Sequence, residues 1–216
     1  MLFYATMMSL PLVFALIGQE VSILSFLITI SITVVIGLIL SNHGKREGRL
    51  GVREGFAVVA AAWLLTSLSG ALPFYLSGAV PNYLDGMFET VSGLTTTGAS
   101  VIDNVEILPN SILLWRSLTH WLGGMGIIVL FIVFLPNIGA GAVHMFNAEV
   151  PGPISERVLP RIRDNAVKLW QMYLGITLAE IILLMLAGMP WFDALNHSLA
   201  TLATGGFSTK KSPCAF

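Results

Sequence analysis

The sequence predicts an all-α membrane protein. A helix pair comes first, followed by two copies of a unit made of a span, a short helix, a Thr/Gly segment and a closing span, the second copy incomplete. Three observations predict it. Charged residues are 11% of the 216, against roughly 25% in an average soluble domain, while hydrophobic residues are 55% and the mean hydropathy is +0.82. A soluble globule of this size needs a charged surface that this composition cannot supply. Five apolar stretches approach the 20 or so residues a helix needs to cross a bilayer. Two shorter apolar stretches, each followed by a Thr/Gly run, match each other.

The five stretches lie at 2–18, 21–40, 56–76, 112–135 and 167–188. The first is short and carries Pro11. It lacks a basic flank and a small-residue cleavage pattern, so it reads as a span rather than a signal peptide. Charges sort the loops. Segment 41–55 holds Lys45, Arg46, Arg49 and Arg53, and segment 144–168 holds Arg157, Arg161, Arg163 and Lys168. Segment 77–111 has no Lys or Arg but has Asp85, Glu89, Asp103 and Glu106. The positive-inside rule puts the two basic segments in the cytoplasm and 77–111 outside. Five alternating spans then give a cytoplasmic N-terminus, with Lys210 and Lys211 a mild exception outside. The net charge of −1 gives no reason to expect a nucleic-acid partner. Cys214 is the single cysteine, which rules out an intrachain disulfide or a Cys-based metal site within this sequence.

Residues 82–94 and 190–202 are apolar but too short to span, at under about 20 Å as helix. Each leads into a Thr/Gly run, TTTGAS (95–100) or ATGGFS (203–208). Irregular backbone at membrane depth is tolerated where it is buried in protein or lines a watery path. YLDGMFETVSGLTTTGAS (83–100) aligns without gaps on WFDALNHSLATLATGGFS (191–208), at an offset of 108. Asp85 meets Asp193, Leu94 meets Leu202, Thr96 meets Thr204, Gly98 meets Gly206 and Ser100 meets Ser208. Upstream, each copy carries a basic–acidic pair, Arg53–Glu54 or Arg163–Asp164. An even number of spans separates the copies, so they run in the same direction. Parallel repeats are related by an axis along the membrane normal, and equivalent loops converge on that axis as a pore. The units are expected at 1–43 (helix pair), 53–143 (first repeat), 144–162 (cytoplasmic linker) and 163–216 (second repeat, incomplete).

This chemistry suits a cation. Glycine reaches positive φ without steric cost, so a Gly-containing segment can turn successive carbonyls toward one line, where they replace the hydration shell of K⁺. The short helix would aim its C-terminal end, with its partial negative charge, at the same place. A secondary transporter for another cation or small solute, with a broken-helix midplane site, is the alternative. A membrane protein that only docks partners is a third class. No GxSxG elbow and no HExxH spacing occur around His43, His120, His144 or His197, so no enzyme class is indicated.

The phrases SGLTTTGAS (92–100), WLGGMGIIVL (121–130), AEVPGP (148–153) and ATGGFST (203–209) resemble the Trk/Ktr/HKT potassium transporter superfamily, the TrkH branch in particular. The resemblance runs to about Thr209. It implies potassium-channel-like repeats and K⁺ as the transported ion, with no organic cofactor. It places the filter glycines on Gly98 and Gly206, and the ion-binding carbonyls on Thr96, Thr97, Thr204 and Gly205. Partners implied are the lipid bilayer, a second copy in a homodimer, and a cytosolic TrkA-like nucleotide-binding regulatory subunit. The location implied is the bacterial inner membrane. Symport with H⁺ or Na⁺ and passive conduction both stay open. The family has four repeats per chain, whereas this sequence carries one and most of a second. The expectation is therefore an N-terminal portion of a longer transporter that does not conduct K⁺ alone.

Other residues carry two readings each. Glu89 and His197 fall at equivalent positions, as a titratable ring behind the filter or, preferred, as hydrogen-bonding anchors for the short helices. Glu180, inside the fifth span, should face protein or a water path, in a packing role or in proton coupling. Arg116, near the outer end of the fourth span, should snorkel or pair with an acidic neighbour, a cation-repelling gate being the other reading. Gly123, Gly124 and Gly126 suit close helix packing ahead of a hinge.

Overall fold

The computed structural model describes residues 1–43, 52–126 and 158–210. The core of the basic loop 41–55, the 127–135 part of the fourth expected span, the 144–157 loop with the AEVPGP phrase, and Cys214 lie outside the described residues.

Seven α-helices are described. They are α1 (Leu2–Gly18), α2 (Ile23–His43), α3 (Val52–Leu76), α4 (Tyr83–Leu94), α5 (110–126), α6 (Val158–Leu186) and α7 (Trp191–Leu202). Among the described residues, three stretches are long and apolar enough to cross a membrane: Ile23–Asn42, Phe56–Leu76 and Val167–Leu186. The helix α1 has 17 residues and continues through Pro11. The helix α6 begins at Val158, ahead of the boundary at 163 expected for the second repeat. Pro160 falls in its first turn, where a missing backbone N–H costs nothing, so the helix starts inside the expected linker.

The polarity of these helices is reversed relative to a soluble bundle. Just before and along α2, Ser22, Ser25, Thr29 and Thr33 are buried, while Leu24, Leu27, Ile32, Val35, Leu38 and Ile39 are exposed. The Thr29 and Thr33 hydroxyls donate to the Ser25 and Thr29 carbonyls at 2.7 Å, which satisfies them within the helix. Small polar residues then face the neighbouring helices and branched apolar ones face lipid.

The helix α5 sits at the centre, and residues 111–121 are all buried. Its Trp115 ring packs edge-on against Tyr4 (5.3 Å) and Phe26 (6.4 Å), and its Nε1 donates to the Gly70 carbonyl at 3.0 Å. One residue thereby ties α1, α2, α3 and α5 together. Lower on α5, Trp121 Nε1 donates to Thr177 Oγ1 at 3.1 Å, and Tyr173 Oη donates to the Trp121 carbonyl at 3.2 Å, which docks α6. At the start of α5, the Glu20 carboxylate accepts from the Ser111 amide (3.2 Å), the Ser111 hydroxyl and the Ser22 hydroxyl (3.1 Å). A carboxylate there satisfies orphan N–H donors and complements the positive end of the helix. This contact puts the α1–α2 turn and the start of α5 at one end of the molecule.

Candidate functional site

The short helices end deep along α5. After α3 the chain turns back, and α4 packs against it. A Cβ on Gly86 would lie 2.9 Å from the Ala71 carbonyl, and a Cβ on Gly70 would lie 2.6 Å from the Thr90 side chain. Further along, Gly93 abuts Thr119, and Gly123 abuts the Leu94 carbonyl so closely that a Cβ would overlap it. Gly123 is 13 residues into α5, about 20 Å from its start at 1.5 Å per residue. The chain then climbs back. Ser100 Oγ accepts from Arg116 Nη2 at 3.1 Å, two turns nearer the start of α5.

The second copy makes the same ascent on the same helix. Ala203 lies against Gly124, and Gly205 lies so close to His120 that a Cβ on it would be 2.5 Å from the imidazole ring. The Phe207 ring lies 4.0 Å from the His120 ring, and the Ser208 carbonyl accepts from Arg116 Nη1 at 3.3 Å. Both Thr/Gly segments therefore rise along α5 in one direction. They meet at Gly98, where a Cβ would overlap the Gly205 carbonyl oxygen and lie 3.9 Å from Gly206 Cα.

The backbone repeats as closely as the sequence does. Thr96 (φ 56°) and Thr204 (φ 58°) are left-handed, and so are Gly98 (φ 77°) and Gly206 (φ 85°). The Thr96 amide donates to Gly93 O and the Thr97 amide to Ser92 O, both at 2.9 Å. Thr204 to Thr201 O (2.8 Å) and Gly205 to Ala200 O (2.9 Å) repeat the pattern. These are paired Schellman caps, with threonine where glycine is usual. A left-handed β-branched residue costs about 1–2 kcal/mol. Two such residues at equivalent positions mark strain imposed by the surrounding packing, as found at functional sites.

A buried ion pair fixes the upper ends of both segments. Arg116 is 2% exposed and Glu89 0%. Arg116 Nε donates to Glu89 Oε2 at 3.2 Å, and Glu89 Oε1 accepts from Ser100 Oγ (2.6 Å) and the Val101 amide (2.7 Å). The Arg116 Cζ lies 4.0 Å over the Phe207 ring. Every guanidinium nitrogen is thus engaged. Losing one partner of a buried pair of this kind costs about 3–5 kcal/mol.

The sequence expectations are met unevenly. Arg116 pairs with an acid but does not snorkel. Its charge is enclosed by Glu89 and the two segment ends. Glu89 anchors the end of α4 through Arg116, Ser100 and the Val101 amide. In the second copy the carboxylate role passes to Asp193, which accepts from Thr209 Oγ1 at 2.7 Å and lies 3.9 Å from Lys210 Nζ. Gly123 and Gly124 are packing glycines against Leu94, Tyr173 and Ala203, while Gly126 makes an ordinary contact with Trp63. Glu180 is half-buried and continues the inward stripe of Tyr173 and Thr177 on α6. Sequence reasoning did not find the Arg116–Phe207–His120 stack. Its signal was present in the repeat alignment, which matched Ser100 to Ser208.

The described residues form an all-helical membrane bundle in which two short helices, α4 and α7, each end in a capped Thr/Gly loop that meets its twin at Gly98 and Gly205. The family described as TrkH, cation transport protein, matches residues 20–213. The TrkH potassium uptake protein of Salmonella typhimurium is 44% identical over 211 residues, covering 96% of this chain and 44% of its own length. That of Halomonas elongata is 41% identical over 214 residues, covering 97% and 44%. The crystal structure of the potassium transporter TrkH from Vibrio parahaemolyticus matches with a TM-score of 0.82 at 35% identity, over 96% of this chain and 42% of that one. The chain belongs to the TrkH family of cation transport proteins. It spans under half the length of the relatives it matches.

Proposed function

We propose that this chain contributes two walls of a potassium-selective path in a K⁺ uptake protein of the inner membrane. The carbonyls of Thr96, Thr97, Thr204 and Gly205 would stand in for the water around K⁺, with Gly98 and Gly206 supplying the turns. The single observation that carries this reading is the matched left-handed backbone at 96 and 98 and at 204 and 206, in segments that meet at Gly98 and Gly205. In an extended strand successive residues alternate sides. Positive φ at every second residue breaks that alternation and lets carbonyls line one side. The C-terminal ends of α4 and α7 add partial negative charge at the same depth.

The relation of Gly98 to Gly205, applied again, puts a further copy beside Gly206, where a Cβ would meet nothing within 4 Å. That leaves room for a further segment on that side, in keeping with the four repeats that the resemblance implies for the whole protein. The same direction of both copies along α5 favours a pore over an inverted-repeat transporter. A cytoplasmic N-terminus, a homodimer and a cytosolic nucleotide-binding regulatory subunit complete the proposal. The basic loops would face that subunit and anionic headgroups. K⁺ uptake by the full-length protein, in cells lacking their own uptake systems, tests it. Rescue of growth at low K⁺, lost on Gly98→Ser, is expected. Rescue by Gly98→Ser with unchanged K⁺ over Na⁺ preference would contradict it.

A further inference from the structure

We propose that Arg116 is a positioning residue that holds the outer ends of the two filter segments in fixed register, and that this register sets cation selectivity. The inference rests on the potassium-filter reading above. Ser100 and Ser208 are equivalent in the two repeats, yet one guanidinium holds both, the first through its hydroxyl and the second through its carbonyl. A guanidinium is rigid and planar, and its donors sit in a fixed fork. Two segment ends bound to its two terminal nitrogens cannot shift independently. The third nitrogen, Nε, is fixed by Glu89, which also holds Ser100 and the Val101 amide, so the fork itself cannot rotate.

The stack adds a second constraint on the second repeat. Phe207 lies between Arg116 at 4.0 Å and His120 at 4.0 Å, one helical turn apart on α5. His120 is fully buried, and its ring also bounds Gly205. The segment from 205 to 208 is therefore clamped at three points, Gly205, Phe207 and Ser208. Arg116 comes from the first repeat and reaches across to the second, 92 residues on. Its charge is offset by Glu89 at 3.2 Å, which suits a clamp rather than a repelling gate. Lysine would keep the charge but not the fork.

The test measures K⁺ influx and its competition by Na⁺ in cells carrying the full-length protein, with membrane abundance monitored. The variants are Arg116→Gln, Arg116→Lys and Ser100→Ala. Both Arg116 variants are expected to lose K⁺ over Na⁺ preference about tenfold or more, and Ser100→Ala about threefold or more, since the hydroxyl's bonds to Arg116 and Glu89 go while the ion pair stays. If the Arg116 variants fail to reach the membrane, Ser100→Ala decides, since it removes the hydroxyl that Arg116, Glu89 and the Ile102 amide share but no charge. Wild-type preference in Ser100→Ala or in Arg116→Lys overturns the proposal. So does Arg116→Gln with faster influx and unchanged preference, the behaviour of a gate. A wild-type protein with no K⁺ preference overturns the filter reading and this inference with it.

Discussion

Replacing Gly98 with alanine would strike the point where the two Thr/Gly segments touch. Two costs add there. The φ of 77° is left-handed, which costs an alanine about 1–2 kcal/mol. The new Cβ would also overlap the Gly205 carbonyl oxygen and lie 3.1 Å from the Gly205 carbonyl carbon. These are backbone atoms and cannot swing aside like the end of a side chain. Restoring van der Waals separation moves that carbonyl on the order of 1 Å. A carbonyl that replaces hydration water loses its fit at such a shift, and each 1.4 kcal/mol lost is tenfold in selectivity. Gly78→Ala is the control. Its φ is 75°, but nothing lies within 4 Å of its Cβ position, so it carries the strain without the overlap. The assay is K⁺ influx against Na⁺ competition in the full-length protein. Gly98→Ala should lose K⁺ preference about tenfold or more, while Gly78→Ala keeps it. Equal selectivity in Gly98→Ala and wild type would refute the reasoning, as would an equal loss in both variants.

Further outcomes concern the scaffold. Gly123→Ala should destabilise the purified protein by about 2–4 kcal/mol, because its Cβ would overlap the Leu94 carbonyl; a thermal midpoint at the wild-type value would revive the hinge reading. Glu20→Ala should lower the midpoint by the equivalent of about 1–3 kcal/mol, since three donors at the start of α5 lose their acceptor. No change there would mean water replaces it without cost. Thr96→Gly should raise the midpoint by about 1 kcal/mol in relieved strain, and a fall would contradict the left-handed cap at φ 56°.

The fold was legible where a pattern repeats. The short helices expected at 82–94 and 190–202 are found at Tyr83–Leu94 and Trp191–Leu202, because two copies of one signal locate each other better than either alone. Three of the five expected spans, at Ile23–Asn42, Phe56–Leu76 and Val167–Leu186, followed from hydropathy, since lipid-facing positions leave long apolar runs. The left-handed threonines were not legible. Nothing in TTTG or ATGG announces positive φ at a β-branched residue, whose local preference is for extended backbone, and only tertiary packing overrides it. Nor was the reach of Arg116. Its position on a span suggested snorkelling or an acidic partner without naming that partner, and the groups that bury it lie 16, 27 and 92 residues away in sequence. Glu89 and His197 align by sequence, but the Asp193–Thr209 contact takes over in the second copy, a symmetry break that alignment conceals.

The proposed filter requires a cation to pass between residues 96–98 and 204–206. Thallium(I), an anomalous scatterer close to K⁺ in size, soaked into crystals of the full-length protein tests it most directly. An anomalous peak bounded by the carbonyls of Thr96, Thr97, Thr204 and Gly205 is expected. Peaks elsewhere along α5 with none between those two segments, in a protein that still takes up K⁺, would contradict it.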